Sequence, residues 1–371
     1  MYFKPFKDLS ISALGMGCLR FPTEKGVPDR IDRAEAQKLV DLAMEAGINL
    51  FDTAYTYQDG DSERALGETL AGYPRNSYYL ATKFYAAASS DIEGVFEEQL
   101  RRCRTDYFDF YLLHGMDETY ISDYMDPAKD YLGFLQRQKE AGCIRYLGFS
   151  SHAAPETLAR FLEWFDGFDM ALIQLNYLDY VMLEAKEQYE LLTEHGIPVW
   201  VMEPVKGGRL ATLNEEAAAI LREAAPERSL SSWAFRFLMG LPNVQTVLSG
   251  MSSVEQLLDN IKTFAKPEPL NEKEKKALER ARDIFMEDLG VPCSGCRYCC
   301  ASCPKELDIP LLIKGYNEQR ISGETWRIAE LASAKGADQC LGCGACLTHC
   351  PQKINIPEVM ETMAFLKGEE D

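Results

Sequence analysis

No stretch of this chain approaches 18 uninterrupted apolar residues, so no helix is expected to span a bilayer. Met1–Ser10 alternates charged and apolar residues without an apolar h-region, so no signal peptide is expected. Basic residues are scarce: 39 Lys and Arg stand against 58 Asp and Glu, a net charge of −19, with most of the deficit before residue 266. Nucleic acid and anionic membrane both attract basic surface, so neither is expected as a partner. The acidity reads as a solubility device. There is no low-complexity tract, and no G-x-G-x-x-G follows the first strand-like segment, which counts against a Rossmann domain. What is present is a 46% apolar fraction, enough for a large buried core, in 371 residues, enough for one large domain and one small one.

Cysteine is abundant, and eight of the twelve fall into two copies of one pattern. The first is Cys293-x2-Cys296-x2-Cys299-x3-Cys303-Pro304, the second Cys340-x2-Cys343-x2-Cys346-x3-Cys350-Pro351. Zinc sites use paired C-x2-C units with longer gaps. Three cysteines at x2 intervals plus a remote Cys-Pro suit the corners of a cubane, and the run resembles that of bacterial two-cluster ferredoxins, whose fourth Cys ligates the other cluster. Two [4Fe-4S] clusters are therefore expected. One takes Cys293, Cys296, Cys299 and Cys350, the other Cys340, Cys343, Cys346 and Cys303; in a more open module each run would coordinate differently. The 36-residue gap between Cys303 and Cys340 exceeds that of a minimal ferredoxin and resembles the helical ferredoxin-like modules of larger reductases. Thiolate ligands need a reducing compartment, so a cytoplasmic location is expected. Cys300 reads as a small buried residue, with spare ligand as the alternative, and His349 as a hydrogen-bonding or surface residue. Cys18 reads as pocket lining, Cys103 and Cys143 as core.

Before the cysteine runs, short apolar segments alternate with amphipathic ones. Strands are expected at Ser12–Met16, Ile48–Phe51, Tyr78–Thr82, Phe108–Leu113, Tyr146–Phe149, Met170–Leu175, Val199–Met202 and Val244–Leu248. Helices are expected at Arg33–Ala46, Ser62–Leu70, Ile92–Cys103, Tyr131–Ala141, Pro155–Phe165, Leu183–Glu194, Leu230–Met239 and Val254–Thr263. Eight units in strict alternation predict an α/β fold, a (β/α)8 TIM barrel over residues 1–265, with a doubly wound open sheet as the competitor. Lys266-Pro-Glu-Pro-Leu is a linker signal, and Asn271 a plausible cap for a helix in the linker segment 266–289. Residues 290–371 form the small, mainly α-helical ferredoxin-like 2x[4Fe-4S] domain, with a helix at Tyr316–Ala334 between the runs.

A (β/α)8 enzyme places its chemistry at the C-terminal ends of strands. Here those ends carry Asp52 (with Tyr57 soon after), Lys83, His114, Ser150, Ser151 and Gln174. A cationic Lys83, kept charged by Asp52, favours the phenolate of Tyr57 and makes it a better proton donor near working pH, as general acid catalysis requires. His114 would orient a carbonyl oxygen or relay a proton.

At these residues the sequence resembles the aldo-keto reductase family. Phe51-Asp52-Thr53-Ala54-x-x-Tyr57 followed by Ser62-Glu63-x-x-x-Gly67 looks like that family's signature, and Lys83 and His114 fall where the rest of its catalytic tetrad lies. The resemblance covers about residues 3–265. It implies a barrel that binds NAD(P)(H) without a Rossmann fold and reduces aldehydes and ketones, with Tyr57 as acid. Gly148-Phe149-Ser150-Ser151-His152 is similar to the family segment holding the nicotinamide amide, with Ser151 in place of the usual Asn; Gln174 matches the family glutamine. Met202 stands where the family stacks an aromatic ring, so sulfur contact replaces stacking. Ser249-Gly250, ending at Asp259-Asn260, matches the adenosine end, but lacks the Arg or Lys that grips a 2′-phosphate. Lys206-Gly207-Gly208-Arg209 is a candidate cradle for the pyrophosphate.

A nicotinamide gives two electrons as a hydride, whereas a cluster takes one at a time. Three readings follow. The first is an iron–sulfur oxidoreductase that reduces a small-molecule carbonyl substrate with NAD(P)H, its clusters exchanging electrons with a partner protein or second redox centre. The second is a flavin-linked electron-transfer enzyme with flavin in the barrel mouth. The third is a non-catalytic binding or regulatory module. Specificity is expected in the loops His114–Asp130 and Pro204–Arg228.

Overall fold

The structure, a computed structural model, describes residues 1–25, 27, 29–287, 290–322 and 336–368. Ten strands order it: β1 (Phe3–Phe6), β2 (Leu9–Ser12), β3 (Leu14–Gly17), β4 (Leu50–Asp52), β5 (Tyr79–Phe84), β6 (Phe108–Met116), β7 (Ile144–Ser151), β8 (Met170–Gln174), β9 (Val199–Met202) and β10 (Val244–Ser249). Strands β3 to β10 pair in parallel, each with its sequence neighbour, and β10 returns to β3, so the sheet closes into a barrel rather than remaining open. The eight expected strands are all present, and the intervening helices agree to within a residue or two at most ends.

Period-two alternation decides which residues fill the barrel. Leu50, Ala81, Phe110, Leu112, Tyr146, Leu172, Trp200 and Leu248 form the inner cluster. Their chain neighbours Phe51, Leu80, Tyr111, Leu147, Ile173, Val201 and Val247 pack outward, against the helices. Branched and aromatic side chains thus occupy both faces, as expected of parallel strands buried on two sides.

The β1–β2 hairpin was not anticipated. Its alternation of charged and apolar residues is an antiparallel ladder, Phe3 opposite Ser12 and Phe6 opposite Leu9. Phe6 plugs the N-terminal end of the barrel, with ring centroids 5.5 Å from Phe110, 5.2 Å from Tyr146 and 6.5 Å from Trp200.

The chain divides into two compact units, Met1–Val205 with Glu227–Lys275, and Lys206–Pro226 with Lys276–Asp371. The loop after β9 therefore groups with the cysteine-bearing unit, where the sequence suggested membership of the barrel. The expected helix of the 266–289 segment is Glu272–Glu287, and the division between the units falls within it, after Lys275. Asn271 caps it as expected, accepting from Lys273 N and Glu274 N at 3.0 Å each. Glu274 in turn pairs with buried Arg236 through both oxygens at 2.7 and 2.8 Å.

The second unit has its own core, including Leu307, Ile309, Leu312, Ile313, Met360 and Met363. Its longer helices are Ile309–Ser322 and Ile356–Gly368. Of the helix expected over Tyr316–Ala334, the part to Ser322 continues the first of these, and 323–334 lies outside the described residues.

Phe6→Ala should cost about 3–5 kcal/mol, because the ring's removal leaves a cavity walled by a closed barrel that cannot collapse. Denaturant unfolding of the full chain measures this; an unchanged midpoint would show that the hairpin is an ornament.

Candidate functional site

The parity that fills the barrel also builds the site. Two residues beyond Leu50, Ala81, Leu112, Leu172 and Trp200 come Asp52, Lys83, His114, Gln174 and Met202; Ser150 follows Tyr146 and Gly148 in the same way. Polar residues thus cap an apolar interior at the C-terminal ends of the strands. Lys83 is wholly buried, and Asp52, Tyr57 and His114 are between 4% and 9% exposed.

The Lys83 ammonium donates to Asp52 Oδ1 and to the Thr53 carbonyl, each at 2.6 Å. Burial pushes the Asp52 carboxyl up and Lys83 draws it back down, leaving it somewhat raised. Lys83 Nζ stands 5.3 Å from the centre of the Tyr57 ring, and the His114 ring meets that ring edge-on at 5.9 Å. Burial, then the Lys83 charge, then His152 hold the His114 imidazole well below its usual range, so it is neutral at pH 7. The sequence-predicted tetrad is thereby brought together.

Tyr57 lies off the strand, in a tight turn with Gln58 at φ 45° and Asp59 at φ 50°. Gln58 Nε2 anchors the turn on the Leu19 carbonyl at 2.6 Å. The signature after it has structural work. The Ser62 hydroxyl contacts Thr53 Oγ1 at 2.8 Å and the Cys18 carbonyl at 3.2 Å. Glu63 accepts from Thr82 Oγ1 and Gln99 Nε2 at 2.7 Å and from Arg102 Nη1 at 3.1 Å. Gln99 Nε2 also donates to the Lys83 carbonyl at 3.0 Å. At Gly67 a Cβ would stand 2.4 Å from the Arg102 carbonyl oxygen, so only glycine lets the two helices approach. Gln99 and Arg102 were not singled out from the sequence, since nothing local marks them; the 2.5 Å bond from Tyr111 OH to Gln99 Oε1 is a tertiary fact.

Of the residues expected to hold a nicotinamide, Ser150 accepts from Gly115 N at 2.8 Å, which leaves its hydroxyl proton to donate. Ser151 falls on the opposite face of β7 and accepts from Ala153 N at 3.1 Å. Gln174 donates to Asp179 Oδ2 at 2.7 Å and also bonds His152, whose pKa burial lowers to about 4. His152, like Asp179, was not assigned a role from sequence. Met202 pairs in register with Gln174.

At the other end, Ser249 and Asn260 bond each other at 3.0 Å. Asp259 accepts from Ser229 at 2.6 Å and Ser231 at 2.9 Å. Gly250 lies under Arg20, where a Cβ would be 2.5 Å from Arg20 Cγ. Arg20 thus brings a basic residue beside Gly250, in a stretch that has no Arg or Lys of its own from 249 to 260. Cys18 is fully buried and its thiol is pushed well up by burial, consistent with lining rather than nucleophilic use.

Lys206, Gly207 and Gly208 belong to the second unit. Lys206 Nζ donates to Gln352 Oε1 at 2.5 Å, and Gly207 lies against the backbone of Ser294. Lys206, Gly207 and Gly208 all have positive φ.

The eight cysteines of the runs ring two hollows. One is lined by Cys293, Cys296, Cys299 and Cys350, the other by Cys303, Cys340, Cys343 and Cys346. Each takes three thiols from one run and the fourth from the other, the crossed arrangement. Among the described residues no three His, Cys, Asp or Glu side chains converge on a single ion; the thiols surround a space, as the corners of a cubane require. The two runs share a backbone. Gly295 N faces Cys293 Sγ at 3.4 Å and Gly342 N faces Cys340 Sγ at 3.5 Å. Positive φ recurs at Gly295 and Arg297, at Gly342 and Gly344, and at Glu306 and Lys353. The repeat thus outlasts the cysteines, through Cys303-Pro-Lys-Glu-Leu-Asp-Ile-Pro310 and Cys350-Pro-Gln-Lys-Ile-Asn-Ile-Pro357.

Two family models match the chain: the aldo/keto reductase family over residues 13–283, and a 4Fe-4S dicluster domain over residues 292–354. The chain belongs to the aldo/keto reductase family. It is 30% identical over 313 residues to the uncharacterized oxidoreductase YqkF of Bacillus subtilis, covering 75% of this chain and 95% of that one. It is 30% identical over 242 residues to an aldo-keto reductase of Mycolicibacterium vanbaalenii, covering 62% and 78%. Among solved structures it is similar to aldo-keto reductase AKR11C1 from Bacillus halodurans, with TM-score 0.62, 29% identity and coverage of 76% and 96%. A Klebsiella pneumoniae aldo/keto reductase in complex with NADP and acetate shares the fold at TM-score 0.59 and 20% identity, covering 76% and 93%. This aldo/keto reductase is an oxidoreductase that carries an iron–sulfur domain.

His114 and His152 are held neutral by burial, so the unfolded chain binds more protons below about pH 6.5 and stability falls as pH drops. For His152 the window runs from about 6.5 to about 4, at about 1.4 kcal/mol per pH unit. The thermal midpoint of the full chain should fall between pH 7.5 and 5, and fall less in His152→Asn. An identical slope in the variant would remove His152 from the account.

Proposed function

We propose that the barrel reduces a small aldehyde or ketone with NAD(P)H, and that the second unit holds two [4Fe-4S] clusters that exchange single electrons with a partner protein or a second redox centre. The observation that carries the first half is a wholly buried Lys83 bound to Asp52 beneath the Tyr57 ring. A nicotinamide, when bound, supplies the hydride for the carbonyl carbon. Tyr57 gives its hydroxyl proton to the carbonyl oxygen, and the adjacent Lys83 charge stabilises the phenolate left behind. Neutral His114 has an N–H to orient that oxygen without competing as an acid. The Ser150 hydroxyl donates to the carboxamide of the cofactor. Arg20, beside Gly250, is the cation for a phosphate at the adenosine end.

The residues of the second unit fit iron–sulfur ligation on an observation of their own. Arg209 Nε is buried with no hydrogen-bond partner among the described residues, and Cys293 supports its charge against the cost of burial. The four thiols ringing each hollow are the donor set that an iron–sulfur cluster requires. Among the described residues no helix is long and apolar enough to cross a membrane; with ligands that must stay reduced, we place the protein in the cytoplasm. No observation favours a flavin or a purely regulatory role.

Anaerobic NADPH and NADH oxidation with a panel of aldehydes and ketones tests the barrel. Tyr57→Phe should lower turnover by about 10²–10⁴; turnover surviving that change would overturn the assignment. Arg20→Ala should weaken NADPH binding about tenfold to a hundredfold, the worth of a charge-assisted hydrogen bond, read by quenching of protein fluorescence. Iron and acid-labile sulfide should each approach about eight per chain, and zinc in their place would end the cluster reading.

A further inference from the structure

The segment 55–60 carries the Tyr57 phenol, yet its backbone is unfavourable. Gln58 and Asp59 are left-handed at φ 45° and 50°, and Gly60 follows at φ 77°. Side chains with a Cβ disfavour that region, and a run of it persists only where the surroundings over-determine it. Within the turn, Tyr57 N bonds the Ala54 carbonyl at 3.2 Å, and Asp61 N bonds back to the Tyr57 and Gln58 carbonyls. Gln58 supplies one anchor outside the turn, on the Leu19 carbonyl.

Arg102, on the helix Ile92–Cys103, supplies another. Its Nη1 donates to the Tyr55 carbonyl and to Glu63 Oε2, at 3.1 Å each. Its Nε donates to Glu98 Oε1 at 3.0 Å, and Nη2 stands 2.7 Å from the same oxygen. Glu98 Oε2 in turn accepts from the Tyr55 hydroxyl at 3.1 Å, and the guanidinium lies over the Tyr55 ring, 4.5 Å from its centre. Tyr55 is thus gripped at its carbonyl, its hydroxyl and its ring face. Beyond Tyr57 the same guanidinium covers Gly60, where a Cβ would stand 2.3 Å from Nη1 and 2.5 Å from Cζ. Arg102 therefore meets the chain on both sides of Tyr57. Its side chain is 11% exposed and that of Glu63 0%, so little water competes. A lysine has a point charge and no planar fork with which to span Tyr55, Glu63 and Glu98.

We propose that Arg102 is a positioning residue for Tyr57: it clamps 55–60 from behind, so that the phenol hydroxyl keeps its place against a carbonyl oxygen. Arg102 touches no reacting atom and acts through the backbone. The inference rests on the reading of Tyr57 as the proton donor. A shift of about 1 Å at a reacting group costs up to about a hundredfold in rate, whereas an ion pair that serves stability alone leaves the rate of folded protein unchanged.

The test uses the full chain, with turnover of NADPH and a carbonyl counted per folded protein. Arg102→Lys and Gly60→Ala should each lower kcat about tenfold to a hundredfold and leave the Kd for NADPH, read by fluorescence quenching, in place. Hydrogen exchange followed by mass spectrometry should show the peptide covering 55–61 exchanging about tenfold faster, or more, while Tyr79–Phe84, the strand of Lys83, keeps its protection. Should either variant fail to fold, Glu98→Ala, which leaves the Arg102–Glu63 pair standing, should loosen the same peptide. The proposal is overturned if the thermal midpoint falls while kcat and exchange at 55–61 stay as in wild type. It is overturned equally if Tyr79–Phe84 loosens as much as 55–61, for Arg102 then acts on the whole frame through Glu63. Wild-type protein that reduces no carbonyl, or Tyr57→Phe as active as wild type, would fail the reading of Tyr57 itself, a distinct outcome that removes this proposal with it.

Discussion

A buried ammonium organises the barrel. Lys83 sits where no water reaches it, and an unpaired charge there would cost several kcal/mol. Asp52 and the Thr53 carbonyl offset that cost at 2.6 Å each, and both lie on the preceding strand or just past it. The rest of the site follows from holding this pair still. Gln99, Glu63, Thr82 and Arg102 fix the backbone of Lys83 from behind, Ser62 ties Thr53 to the end of β3, and Tyr124 donates to the His114 carbonyl at 2.5 Å. The Tyr57 phenol sits on a turn beside this frame, not on a strand. Its placement depends on left-handed backbone at Gln58 and Asp59, which the frame must support.

The second unit reaches rigidity by duplication. Each run uses the same sequence of left-handed residues to wrap its thiols, and each is followed by an extended Leu-Asp-Ile-Pro or Ile-Asn-Ile-Pro segment that opens a helix. Leu307 and Ile309 from one copy and Ile354 and Ile356 from the other share a core. With so few apolar residues, that core is small for an independent domain, and ligation would supply much of its stability. The crossing of the fourth cysteine ties the copies to each other, so neither hollow is complete without both.

The barrel brings Asp52, Tyr57, Lys83 and His114 together at one end, while the second unit rings two hollows with thiols. The chain leaves the barrel unit at Val205, and Lys206 just after it bonds Gln352 within the second unit.

The closed barrel was legible because eight apolar segments alternate with eight amphipathic ones, and burial of parallel strands on both faces leaves no other pattern. The tetrad was legible because a strand end is defined by where the apolar run stops. The cysteine ligands were legible from spacing, since a cluster needs three thiols on one tight loop. The hairpin plug at Phe6 was not, because four-residue strands carry too little periodicity to stand out. Gln99, Arg102, His152 and Arg20 were not, because each acts across a gap in sequence that only packing closes. The exchange of Cys350 and Cys303 between hollows was expected from the spacing with another coordination left open, and the lining of the two hollows has the crossed form. The tertiary structure alone showed Lys206 bonded to Gln352 and Gly207 lying against Ser294, contacts that the spacing of Lys206-Gly207-Gly208-Arg209 does not announce. Spacing along a chain fixes which residues share a turn or a strand face; which loop lies against which is set by the closure of the core, and that belongs to the whole fold.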